Sequence, residues 1–272
     1  MRRPTIGVFD SGFGGLTVLK ALLELIPGAD YAYFGDTARL PYGSKSAETV
    51  ARYAVEAAHY LESQDAQLLV IACNTATALA LDRITAGAHV PVVGVIEPGA
   101  EAASSASKNK KIVVIGTDAT VSSHAYRKAL EARGLEVGEK ACPLLVPLVE
   151  EGWVGHSVTE QVARIYLDEA FADGFGDADT MVLGCTHYPL LKPLLHRVTP
   201  GHVRIVDSAE STARAVASRL QQLVPATAEA EERRRLPRIK FFATDSVEKF
   251  QRLGERFLGR AIEQVQHVDL EE

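Results

Sequence analysis

Short apolar runs of four to six residues recur along the chain. Each is followed by a polar turn and then by a stretch with helical character. Ile6–Phe9 runs into DSGFGG and then LTVLKALLELI. Tyr31–Phe34 runs into GDTARLPYGSKS and a long helix ending near Ser63. Leu68–Ala72 precedes CNTAT and another helix, and Val90–Val95 precedes IEPGAEAA. Lys111–Ile115 leads into GTDATVSSHAYRKALEARG, Thr180–Leu183 into GCTHYPLLKPLL, and Val203–Val206 into DSAESTARAVASRL. Near the C-terminus, IKFFATDS reads as a further strand and turn, followed by the helix VEKFQRLGERFL, which is expected to pack on the first half. Strands that alternate with helices predict an α/β fold of parallel sheets built from right-handed βαβ units.

The pattern repeats. IGVFDSG and IVVIGTD are offset by 106 residues, Ile6 to Ile112. LVIACNT and MVLGCTH are offset by 112, Cys73 to Cys185. Short βα turns resemble one another, but two features recurring in the same order favour a duplication. The prediction is two similar α/β domains related by pseudo-two-fold symmetry, residues 1–96 with 208–272 and residues 97–207. Ligands of open parallel sheets bind outside the carboxyl ends of the strands, so the site is expected in the cleft between the domains.

Composition narrows the class. Of 272 residues, 47% are apolar and 24% charged, which excludes a disordered chain, a collagen or a coiled coil. A net charge of -6 gives no electrostatic reason to bind nucleic acid or an anionic membrane. The N-terminus MRRPTIGVFDSG lacks a secretory apolar core, and no run is long enough to span a bilayer. Three cysteines without a CxxC suit a reducing cytoplasm. The segment PATAEAEERRRLPR reads as a solvated linker, since its charges come in opposite blocks and no aromatics interleave.

Cys73 and Cys185 carry the sharpest chemical signal. Each follows an apolar strand where a helix is expected to begin, and aligned N–H groups there should lower a thiol pKa. One buried cysteine is usually a small hydrophobe, but two at equivalent strand ends favour function. Cys142 has no counterpart and reads as structural. Asp10 is followed by Ser11-Gly12-Phe13-Gly14-Gly15; a dinucleotide fingerprint would need a third glycine where Thr17 stands. An anion site for a small carboxylate at the helix start fits better, with Asp10 as a plain N-cap the simpler alternative. His187, two residues after Cys185, suits a proton partner for the thiol. Glu150 or Glu151 could orient it, or lie on the surface. The histidines show no metal-ligand spacing and GxSxG is absent, so neither a metal nor a serine nucleophile is expected. A papain-like Cys–His pair would leave the second thiol unexplained.

Two equivalent acid/base groups facing one carbon suit stereoinversion, in which one removes the Cα proton and the other returns a proton to the opposite face. At these residues the sequence resembles the glutamate racemases of the cofactor-independent aspartate/glutamate racemase superfamily, from Ile6 to about Phe250. The resemblance rests on FDSGFGGLTVLK, YFGDTARLPYGSKS, IACNTATA, VIEPGA, VPLVEEG, LGCTHYPLL and FFATDS, in that order. It implies Cys73 and Cys185 as the acid/base pair, Asp10 and His187 assisting them, and Glu150 supporting from behind. It implies substrate contacts at Asp10, Ser11, Tyr42, Gly43, Asn74, Thr75, Thr117 and Thr186. It further implies no cofactor and a role in supplying D-glutamate for peptidoglycan. A homodimer is the expected assembly, with glutamate as small-molecule partner. Alternatives are a racemase for aspartate or a hydantoin, and a two-lobed small-molecule binding protein.

Overall fold

The computed structural model describes residues 3–223 and 236–270. The first stretch forms β1 (Thr5–Asp10), α1 (Leu16–Leu25), β2 (Asp30–Gly35), α2 (Ala47–Ser63), β3 (Leu68–Ile71), α3 (Asn74–Gly87) and β4 (Val92–Gly94). The second forms α4 (Ile96–Ala106), β5 (Lys111–Gly116), α5 (Asp118–Ser122), α6 (Ala125–Glu131), β6 (Glu136–Ala141), α7 (Leu145–Glu150), α8 (Ser157–Ala170), β7 (Thr180–Gly184), α9 (Lys192–Val198) and β8 (Arg204–Asp207). The chain continues through α10 (Ala209–Leu223), β9 (Ile239–Ala243), α11 (Val247–Leu258) and β10 (Gln266–His267).

These strands make two parallel sheets, ordered β10-β9-β2-β1-β3-β4 and β6-β5-β7-β8. The fold is α/β. Central strands such as β1, β3 and β7 are buried along nearly their whole length, because helices cover both faces of each sheet. That is why they read as unbroken apolar runs rather than alternating ones. One core cluster joins Ile6 and Val8 of β1, Val113 and Ile115 of β5 and Phe250 of α11. Two further clusters fill the spaces under α2 and α3 on one sheet and under α4 and α6 on the other.

The repeat is written in the ladder register. Ile6 pairs with Tyr31 and Leu68; 106 residues on, Ile112 pairs with Val137, and its other partner Thr180 lies 112 after Leu68. The strand order 2-1-3-4 of the first sheet becomes 6-5-7-8 in the second. Matching positions along the chain therefore occupy matching places in the two sheets.

Several elements differ from the sequence expectation. The strand expected over Val90–Val95 shortens to β4, because Val95 already has helical dihedrals and caps α4. β6 gave no apolar run, since EVGEKA is an edge strand that buries only its Val-Gly pair. Its counterpart β2 is covered on its far side by β9 and is wholly buried. α7 and α8 were likewise not anticipated. The C-terminal strand and helix form as expected, with β9 on β2 and α11 against α1. The expected linker falls mostly on residues 224–235, outside the described residues.

Candidate active site

Loops at the carboxyl ends of the strands from both sheets enclose a cavity of about 360 Å³. From the first sheet come Ser11 after β1, the segment Leu40–Ser44 after β2, and Cys73, Asn74 and Thr75 after β3. From the second come Thr117 and Asp118 after β5, Glu150 at the end of α7, and Cys185, Thr186 and His187 after β7. Of the residues expected from sequence, Asp10 alone does not line the cavity. It is fully buried behind it.

Cys73 is the N-cap of α3, and the Ala76 N–H donates to its sulfur at 3.4 Å. Its thiol donates to Ser11 Oγ at 3.5 Å. The helix start does not produce the lowered pKa expected from sequence. Burial, reinforced by the Asp10 carboxyl, outweighs the N–H contacts and pushes the Cys73 thiol up to about 12. Cys185 differs from the expectation in another way. It sits in a turn, and the chain enters a 3₁₀ segment, Tyr188–Leu191, before α9 begins. Pro189 and Pro193 fall at the starts of those two segments, where a missing N–H is tolerated. The neighbour of Cys185 is therefore an imidazole rather than an α-helix terminus, with Sγ 4.0 Å from His187 Nδ1.

A relay continues from there. His187 Nε2 lies 3.2 Å from Glu150 Oε1, and Lys249 Nζ donates to Glu150 Oε2 at 3.3 Å. Burial opposes charge on His187, but Cys185 and Glu150 outweigh it and raise the imidazole to about 10. Burial likewise opposes the Glu150 carboxylate, yet His187 and Lys249 hold its pKa below the ordinary value. Thiol, imidazole, carboxylate and ammonium thus line up across the two sheets, with α11 supplying the last member. Glu151 points to solvent.

Asp10 takes the Gly12 N–H on Oδ2 at 2.9 Å, while buried Oδ1 has no hydrogen-bond partner. Burial pushes its pKa up, against the pull of His187 and the Gly12 and Gly15 N–H groups. The glycines of DSGFGG serve close approach rather than a nucleotide. A Cβ at Gly14 would stand 2.1 Å from Thr186 Oγ1, and one at Gly15 would stand 2.6 Å from Asp10 Cβ. Thr17, where a fingerprint would need glycine, donates to Gly14 O at 2.9 Å.

Polar groups converge on the cavity. Thr75 Oγ1 lies 3.0 Å from Thr117 Oγ1 and 3.2 Å from Thr120 Oγ1, tying the sheets together. Asn74 Oδ1 accepts from the Tyr126 hydroxyl at 2.7 Å, and its buried Nδ2 is left without a partner. Gly43 packs so closely on Thr117 that a Cβ there would be 2.9 Å from it. Tyr42 lines the cavity, and its hydroxyl donates at 2.5 Å to Oδ2 of buried Asp36, which does not line it. Thr244, on the C-terminal segment, donates to Asp36 Oδ1 at 2.9 Å. Cys142 lies outside the cavity, buried in the core. Among the described residues no cluster of three or more metal-ligating side chains occurs, and no helix is long and apolar enough to cross a membrane.

A two-sheet fold, with a cysteine from each sheet at one shared cavity, defines the class. Residues 6–216 match the model of the Asp/Glu/hydantoin racemase family, and the chain belongs to that family. It is an amino-acid racemase, an isomerase. More particular likenesses follow the same line. The chain is 58% identical to a glutamate racemase from Koribacter versatilis, across 99% of this chain and 98% of that protein. The crystal structure of a glutamate racemase isoform from Bacillus anthracis superposes with a TM-score of 0.91 at 38% identity, covering 99% of both chains. A Francisella tularensis glutamate racemase, solved in complex with D-glutamate, gives 0.88 at 34% identity over 99% of this chain and 98% of that one.

Sequence reading missed Lys249, Asp36, Tyr126 and Asp118 as parts of this site. Lys249 lies 99 residues from Glu150 and Tyr126 lies 52 from Asn74. No local pattern marks such pairs.

Proposed function

We propose that this chain interconverts L- and D-glutamate by two-base proton transfer at Cα, with Cys73 and Cys185 as the bases and no cofactor. The observation that carries the reading is the pair of thiols, at register-equivalent strand ends of two sheets, lining one shared cavity. Glutamate as substrate draws support from the likeness to glutamate racemases across the whole chain. In the direction L to D, Cys185 takes the Cα proton and Cys73 gives a proton to the opposite face. The placement of Cys185 on the L side follows the family resemblance. The raised pKa of Cys73 suits it to hold the proton it must deliver. His187, backed by Glu150, is the proton partner of Cys185, and Asp10 acts through Cys73 from behind the cavity wall.

Ser11, Gly43, Asn74, Thr75, Thr117 and Thr186 cradle the substrate carboxylates with hydroxyl, amide and backbone donors. These are the groups that must stabilise charge as the Cα carbanion forms. Tyr42, whose hydroxyl is committed to Asp36, contributes its backbone and shapes the wall. The cavity falls between two proposed domains, residues 1–96 with 208–272 and residues 97–207. The proposed setting is the cytoplasm, where D-glutamate would feed peptidoglycan synthesis.

The test is circular dichroism of L-glutamate with added protein, followed by product analysis in D2O. Signal decay is expected, and it should survive exhaustive dialysis against EDTA. Cys73→Ala and Cys185→Ala should each abolish it. D-glutamate formed early should carry deuterium at Cα while the remaining L-glutamate stays almost unlabelled. Equal early labelling of both pools would rule out simple inversion by two thiols, leaving a one-base route or thiol exchange with solvent that outpaces turnover.

A further inference from the structure

Asn74 presents an amide whose two ends are chemically opposite. If Nδ2 faces the cavity it donates to an anionic substrate; if Oδ1 faces it, it repels one. In the structure Oδ1 is engaged by the Tyr126 hydroxyl at 2.7 Å, and Nδ2, fully buried, has no partner in the protein. Tyr126 itself is 0% exposed and comes from α6, on the opposite sheet from Asn74. A buried donor left unpaired in the protein costs free energy unless a ligand takes it up.

Resting on the reading of this cavity as a glutamate site, we infer that Tyr126 is a positioning residue for substrate binding. Its hydroxyl donates to Asn74 Oδ1 and thereby turns the Asn74 amide hydrogens toward a substrate carboxylate.

The surroundings of the phenol reinforce this direction. Ser208, itself buried, lies against the same oxygen and supplies a hydroxyl that it can accept. With Ser208 donating to the phenol oxygen, the phenol hydrogen is free for Asn74 Oδ1. Burial raises the Tyr126 pKa, so the phenol remains a donor throughout the working pH range. Gly99 provides the room: a Cβ there would stand 3.1 Å from the Tyr126 oxygen and 3.2 Å from Ser208 Cβ. Ser208, Tyr126 and Asn74 form a chain whose free end is the unpaired Nδ2.

The experiment is a double-mutant cycle on D-glutamate binding, read by isothermal titration calorimetry of the full-length protein. Steady-state kinetics run alongside, and far-ultraviolet circular dichroism confirms the fold of each variant. Tyr126→Phe keeps the ring and removes the donor. It should raise Kd and KM by roughly five- to tenfold, the worth of one hydrogen bond between neutral groups, with a smaller change in kcat. Asn74→Ala should weaken binding by a similar factor or more. Adding Tyr126→Phe to Asn74→Ala should then change Kd by less than about twofold, because residues that act through one another do not add. Ser208→Ala reads the same chain without touching the ring, and should weaken binding about two- to threefold. Unchanged Kd in Tyr126→Phe, or additive losses in the double variant, would overturn the inference while leaving the glutamate reading intact. Failure of the unsubstituted protein to bind glutamate would overturn both.

Discussion

A single methyl at Gly14 separates the packing of the two glycine-rich and cysteine-bearing loops from every other source of stability. The alanine Cβ would stand 2.1 Å from Thr186 Oγ1, 2.6 Å from His187 Nδ1 and 2.9 Å from His187 Cε1. Ordinary contact begins near 3.4 Å. The Thr186 hydroxyl escapes by rotating about χ1. The imidazole does not, because Glu150 holds it at 3.2 Å and the Phe257 ring stands against it edge-on, centroids 5.1 Å apart. The loops must therefore part by roughly 1 Å, at a cost of about 1–3 kcal/mol for an overpacked core site. With His187 as the proposed proton partner of Cys185, displacing it by ~1 Å should cost on the order of 10²-fold in kcat/KM. Backbone strain adds nothing, since Gly14 is not among the positive-φ glycines. Gly28→Ala is the control: nothing lies within 4 Å of its Cβ position, and its φ is also not positive. It should leave activity unchanged and raise stability by about 0.4–1 kcal/mol through the unfolded chain. Urea unfolding and the circular dichroism assay on L-glutamate measure both quantities. A Gly14→Ala protein with native stability and kcat/KM within about twofold of the original would refute the close-packing argument.

Further outcomes follow from the same contacts. Glu150→Gln removes a group that helps hold His187 protonated up to about 10, so the alkaline limb of the pH–kcat/KM profile should move to lower pH; an unmoved limb would separate Glu150 from the relay. Because the folded-state pKa of His187 lies above its ordinary 6.5, its contribution to stability is complete below that value and is lost as pH rises through about 10. Glu150, held below its ordinary 4.5, contributes above that value and loses its contribution as pH falls through its lowered pKa. Urea midpoints of the native protein should therefore decline toward both extremes, and Glu150→Gln should flatten both limbs. Tyr42→Phe strips a donor from buried Asp36 and should cost about 1–3 kcal/mol in urea unfolding. Its KM should rise more than its kcat falls, because the 40–44 segment lining the cavity loses an anchor. Cys142→Ala, outside the cavity, should keep activity within about twofold and lose about 1 kcal/mol of stability.

Local sequence determined the alternation of strands and helices, because both come from short-range periodicity in apolar positions. β1, β3, β5 and β7 were legible since strands buried on both faces need unbroken apolar runs. The duplication was legible because the spacings from Ile6 to Ile112 and from Cys73 to Cys185 are preserved, and the ladders keep those offsets. Most of the cavity-lining residues were legible too, since βα loops at the carboxyl ends of parallel strands converge wherever the sheets are placed. Only the tertiary structure decided which groups meet. An edge strand such as β6 carries too little apolar signal to be seen alone, and its place is fixed by pairing with β5. The thiol environments were misjudged from sequence for a similar reason. A helix start is a local feature, whereas the burial and the Asp10 carboxyl that push Cys73 upward depend on how three loops pack. Lys249 on Glu150, Tyr126 on Asn74 and Gly14 against Thr186 join distant parts of the chain. Such contacts follow from the packing of one sheet and its helices on the other, which no stretch of sequence encodes by itself.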